Sequence, residues 1–183
     1  MTQLEQFLTR AESLLERLES FLPPAIAAPD WNAGIAFRWR KSSSRGGRGY
    51  LQPVAHLSPI ALDDLHNIGP QKQQIEQNTR QFVEGVPANN VLLTGARGTG
   101  KSSLIKACLN QFAGQGLRLI EVDKDDLGDL ADIVDLVSGR PERFIIFCDD
   151  LSFEEGEGGY KALKVALDLS LIHISEPTRQ AEI

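Results

Sequence analysis

Eight consecutive residues, Gly95-Ala96-Arg97-Gly98-Thr99-Gly100-Lys101-Ser102, place three glycines, an ammonium group and two hydroxyls at a fixed spacing. The pattern is G-x-x-x-x-G-K-[ST], preceded by the apolar run Val91-Leu92-Leu93-Thr94 and followed by the helix-like stretch Ser103 to Leu109. Glycines there let the backbone curl so that successive N–H groups face one point, and the positive end of the following helix faces the same point. A loop built this way holds phosphate. Lys101 is placed to neutralise β and γ phosphates, Ser102 offers a hard oxygen to magnesium, and Ser103 completes the phosphate-facing set.

A second cluster lies further along the chain. Phe144-Ile145-Ile146-Phe147 reads as a buried strand that runs through Cys148 into Asp149-Asp150. A strand end can hold Asp149 rigidly beside the loop, where its carboxylate would grip magnesium directly or through water. Asp150 is then placed to orient or deprotonate an attacking water. The other reading of this pair is a cap on the following helix. These are Walker A and Walker B patterns, and together they imply ATP and magnesium as ligands.

The elements that must position these groups alternate. Strand-like segments at Val91–Thr94, Leu117–Val122 and Phe144–Cys148 are separated by helical patterns, which implies α/β architecture with a parallel sheet. A helix is expected from Pro70, with Ile75, Thr79, Phe82 and Val83 as its apolar side and Gly85-Val86-Pro87 as its end. Leu127, Leu130, Ile133, Val134 and Val137 form an amphipathic stripe, with Asp129, Asp132 and Asp135 read as its wet face.

Upstream, Thr2 and Glu5 have the spacing of a capping box, and apolar residues recur at helical intervals as far as Leu22. An amphipathic helix is therefore expected over 1–22, packing on its own domain or on a partner helix. Prolines, glycines and the run Lys41 to Gly49 read as a flexible connection over 23–61. Arg38, Arg40, Lys41, Arg45 and Arg48 have no acid among them, and Trp39 and Tyr50 lie nearby. This basic segment is either a solvated linker or a nucleic-acid contact in which the two rings stack on bases.

The 183 residues carry a net charge of −6 and are 42% hydrophobic, enough for one ordinary core and a poor composition for a chain whose main task is wrapping nucleic acid. No apolar stretch is long enough to span a bilayer and the N-terminus is acidic, so a cytoplasmic location away from membranes is expected. Cys108 and Cys148 sit among apolar neighbours without CxxC spacing and read as reduced, buried thiols.

Beyond the Walker patterns, Leu65-His66-Asn67-Ile68-Gly69, followed by a helix and then the loop strand, resembles the adenine pocket of the AAA family, and the resemblance covers about Leu62 to Asp168. It implies a three-layer P-loop NTPase sheet and adenine contacts at Ile68 and Gly69. Asn89 to Ser103 and Phe147 to Glu154 resemble, more narrowly, the bacterial domain of unknown function 815 family of ATPases. AAA domains usually end their Walker B strand in Asp-Glu; Asp149-Asp150 departs from this, and slow hydrolysis is expected. The resemblance also implies a ring or transient homo-oligomer in the full-length parent, with an arginine supplied by a neighbour.

AAA domains continue into further strands and a helical lid, for which the residues after Asp168 are too few. The domain at 62–168 therefore reads as one truncated after its Walker B strand, and the fragment itself is expected to be inactive. Leu169 to Arg179 back-translates into a transposase-type sequencing adapter, so 169–183 reads as a non-native tail. The leading expectation is ATP hydrolysis coupled to a remodelling or regulatory task. Its alternatives are a P-loop kinase and a nucleotide-gated adaptor that binds protein or nucleic acid; the absence of an Asn-Lys-x-Asp motif disfavours a GTPase.

Overall fold

The computed structural model describes residues 29–41, 49–96, 98–149 and 181–182, with positions 7, 10 and 12. Arg45, Arg48, Arg97 and Asp150 lie outside the described residues, as does most of the helix expected over 1–22; Phe7, Arg10 and Glu12 are helical and exposed.

Four strands form one mixed sheet in the order β2-β1-β4-β5: β1 (Ala36–Lys41), β2 (Gly49–Pro53), β4 (Leu117–Glu121) and β5 (Arg143–Phe147). β1 pairs antiparallel with β2, whereas β1 with β4 and β4 with β5 are parallel. Helix α1 (Gly69–Val83) begins with a proline in its first turn, as expected, and α2 (Lys101–Phe112) leaves the glycine loop. A 3-10 turn at Lys124–Asp129 leads into α3 (Leu130–Val137).

The sheet is covered on both faces. On one, Trp31, Phe37, Trp39, Ile120 and Val122 pack against Leu127, Leu130 and Ile133. On the other, Ala36, Leu117 and Leu119 meet Leu109 and Phe112 of α2. A third cluster, Leu62, Ile75, Leu104, Ala107 and Cys108, joins α1 to α2. Burial of such apolar side chains at about 1.5–3 kcal/mol each is the main force holding these layers.

The stretch read as a flexible connection is corrected over 36–41 and 49–53, where β1 and β2 pair antiparallel as a hairpin on the sheet. Alternation explains the strand: Phe37 and Trp39 fill one face while Arg38 and Arg40 take the other. The cations are not simply solvated. Arg38 bonds Glu121 at 2.7 Å, Arg40 bonds Asp123 at 3.2 Å, and Lys41 reaches Asp126 at 3.1 Å and Asp129 at 3.0 Å. Trp39, read as able to stack on bases, is fully buried, and its Nε1 donates to Asp129 Oδ2 at 2.9 Å. Asp129 is accordingly no part of a wet face, although Asp132 and Asp135 are exposed as expected.

The loop strand stands outside the main sheet. β3 (Val91–Leu92) is two residues long, exposed, and absent from the four-strand ladder. It pairs in parallel with β6 (Ala181–Glu182), from the segment read as a non-native tail. What locates the start of this segment is α1: Asn78 accepts from the Asn89 N–H through Oδ1 at 2.8 Å and donates to the Asn89 carbonyl through Nδ2 at 2.9 Å. Asn110 Nδ2 likewise donates to the Ser58 and Ile60 carbonyls at 2.9 and 2.8 Å, tying α2 to the chain before α1.

Candidate functional site

The glycine loop curls tightly between β3 and α2. Gly98 and Gly100 have φ of 84° and 89°, a left-handed backbone that side chains with a Cβ rarely adopt. Gly100 is also the residue before α2, so the chain passes directly from this bend into a helix whose first turn leaves free amide groups. The Lys101 Nζ folds back over the loop and donates to the carbonyls of Gly95 and Ala96, both at 2.9 Å. Thr99 Oγ1 donates to the Ala96 carbonyl at 2.8 Å and braces the turn.

Asp149 leaves β5 close to α2. The Ser102 hydroxyl donates to Asp149 Oδ2 at 2.6 Å, linking residues that are 47 positions apart in the sequence. A hydroxyl and a carboxylate in contact present hard oxygen donors to one small region, and the amides and ammonium group of the loop lie immediately beside it. The arrangement can hold an anion on the loop with a hard cation next to it.

Ile68 is the residue before α1 and packs on the cluster that contains Leu104 of α2, together with Leu65 and Leu93. It is thus set against the helix that carries the loop. Gly69 is exposed, with open space where a Cβ would stand. Asn67, just before, has φ of 63°, a conformation asparagine tolerates better than most residues. Of the residues singled out from sequence, the structure brings together Gly95, Ala96, Gly98, Thr99, Gly100, Lys101, Ser102 and Asp149, with Ser103 in the first turn of α2. Sequence reasoning named Arg40 only as part of the basic segment and did not single out Asp123, which pairs with Arg40 at 3.2 Å just past the end of β4 and lies near Cys148, the neighbour of Asp149.

Both cysteines are free thiols. Burial pushes Cys108 up to about 11 and Cys148 also up to about 11; for Cys148 the carboxylates of Asp123 and Asp149 add to the effect of burial. At pH 7.5 iodoacetamide is expected to modify either thiol roughly a hundredfold more slowly than a free cysteine, because so little thiolate is present. Mass spectrometry of timed samples checks this, and rapid labelling of the folded protein would contradict it. Folded-state thiols that hold their protons more tightly than unfolded ones contribute full stability below about pH 8.5; that contribution declines as the pH rises toward 11.

Fold and site together define a mixed α/β protein with a glycine-rich loop opening a helix and a strand-end carboxylate bonded to that helix's first turn. The chain belongs to the family described as protein of unknown function (DUF815), whose model matches residues 32–178. The match takes in the β1–β2 hairpin, upstream of the region where the sequence resemblance was read, and the first part of 169–183. No curated protein and no solved structure matched the chain. Among the described residues, no helix is long and apolar enough to cross a membrane.

Proposed function

We propose that this protein binds ATP with magnesium through a P-loop of AAA type and, in its working form, hydrolyses it to ADP and phosphate. The observation that carries the reading is the 2.6 Å contact between Ser102 and Asp149 at the foot of the curled glycine loop. Two motifs that are distant in sequence meet where a phosphate-bound cation would need them. One hydroxyl and one carboxylate are too few to cage magnesium. They suit an ion that arrives on phosphates and keeps several waters, and magnesium has that habit.

In this reading the loop amides and Lys101 hold the β and γ phosphates, while Ser102 and Asp149 hold the metal. Ile68 and Gly69 border the base, since Ile68 packs against the same helix that the loop opens. Magnesium, when bound, supplies charge neutralisation between the phosphates. Asp150 takes the proton of the attacking water or orients it; its side chain is one methylene shorter than the glutamate usual in AAA proteins, so turnover is slow. A homo-oligomer that donates an arginine, as in the AAA proteins the sequence resembles, completes the working form.

Titration calorimetry with ATP and GTP, each with magnesium or with EDTA, tests the proposal. Saturable ATP binding that tightens at least tenfold with magnesium and exceeds GTP binding is expected. Equal affinity for both nucleotides would remove the adenine assignment, and no binding of either would end the ATPase reading.

A further inference from the structure

The parallel registers of β1, β4 and β5 line up Arg38, Glu121 and Phe147 in a row. Arg38 stands opposite Glu121, and Glu121 opposite Phe147. Two residues further on, past the last paired positions, the Arg40 and Asp123 side chains bond at 3.2 Å, and Asp149 lies two residues beyond Phe147. The β4–β5 ladder closes with the bond from the Val122 N–H to the Phe147 carbonyl at 2.9 Å, and just beyond it Asp123 and Asp149 both lie close enough to Cys148 to act on its thiol.

Alternation places this row on one face of the sheet. Ala36, Leu119 and Ile145 pack on the α2 side, position 40 continues that period-2 series in β1, and Asp123, just past the end of β4, bonds Arg40 there. That side carries Ser102, which Asp149 already touches. Arg40 with Asp123, and Asp149 with Ser102, therefore stand at the carboxyl ends of three parallel strands, the edge at which open α/β sheets bind ligands.

We infer that Arg40 is a positioning residue for the nucleotide site: by pairing with Asp123 it offsets a second negative charge just past the strand end next to the one that carries Asp149. The inference rests on the ATP reading above. Asp123 faces a region meant for a triphosphate. Uncompensated, its charge would repel that ligand and attract the metal. The hairpin strand β1 is thereby given an electrostatic task at a site it does not touch.

The Arg40–Asp123 pair is half-exposed on both sides, so its contribution to stability is small and the readout must be binding. Arg40→Gln, Asp123→Asn and the double variant are compared with the wild type by ATP titration in EDTA at low salt. Arg40→Gln is expected to weaken ATP binding on the order of threefold to tenfold, Asp123→Asn to strengthen it by a similar factor, and the double variant to return close to wild type; each shift shrinks in 0.5 M salt. A merely structural pair would make both single variants move in the same direction, and that result overturns the inference. Unchanged affinity in both would overturn it too. Thermal unfolding of all four proteins verifies that each is folded. A wild type that binds no ATP refutes the parent reading instead and takes this one with it, whereas wild-type binding with same-direction shifts refutes only the role of Arg40.

Discussion

Lys101→Ala is expected to raise the Kd for magnesium-ATP at least a hundredfold while leaving thermal stability nearly unchanged. The ammonium group makes two charge-assisted hydrogen bonds to the loop's own carbonyls, of Gly95 and Ala96, which shows that Nζ reaches over the mouth of the loop. A phosphate seated on the loop amides lies within reach of the same group. Hydrogen bonds to charged groups are worth about 1.5–3 kcal/mol each, and losing the counter-charge to a polyanion lies at the upper end of that range. Folding should feel little, because the lysine's partners are exposed carbonyls that water can satisfy. The measurement is ATP titration of the wild type and the variant in parallel with thermal scans. Retained affinity in a folded variant would show that phosphate is not held where the loop suggests.

Gly49→Ala should damage the fold more than any other single methyl addition near the hairpin. A Cβ at position 49 would stand 1.8 Å from one carbon of the Trp39 ring and 2.1 Å from another. The ring has nowhere to go: it is fully buried, and Asp129 holds its Nε1. Either the strand pair opens or the indole leaves the core it shares with Phe37 and Leu127. Overpacking of this kind costs about 1–3 kcal/mol, and with the Trp39 hydrogen bond also at risk we expect a loss near 3 kcal/mol, a Tm lower by roughly 10 °C. Gly114→Ala is the control, since a Cβ there meets nothing within 4 Å. Equal melting temperatures for the two variants would mean that the Gly49 contact is absent in solution.

The candidate site was more legible in the sequence than the sheet that carries it. A curled loop, a following helix and a strand-end carboxylate are local patterns, and each depends on residues within a few positions of one another. Their meeting at Ser102 and Asp149 could be anticipated because alternating strands and helices bring strand ends to one edge. Arg97 and Asp150 lie outside the described residues.

The hairpin was misread for a physical reason. Glycine, serine and arginine dominate 42–49, and that composition outweighed the period-2 alternation of Phe37, Arg38, Trp39 and Arg40 just before it. The acids that pair with those cations come 80 and more residues later, beyond the reach of any local pattern. The same distance hid the role of Asp129, which looked like a solvated helix residue until Trp39 and Lys41 were placed beside it. β3 joins no ladder with β5 and remains exposed, which agrees with the gap the AAA resemblance implies between the two Walker strands where a strand is missing.

That separation has a mechanical consequence. Among the described residues β3, before the loop, and β5, before Asp149, lie in different hydrogen-bonded sheets, and the 2.6 Å bond from Ser102 to Asp149 links the chain just beyond them. The loop that follows β3 is thus tied to the end of β5 through α2, by its packing on the sheet and by the Ser102 side chain.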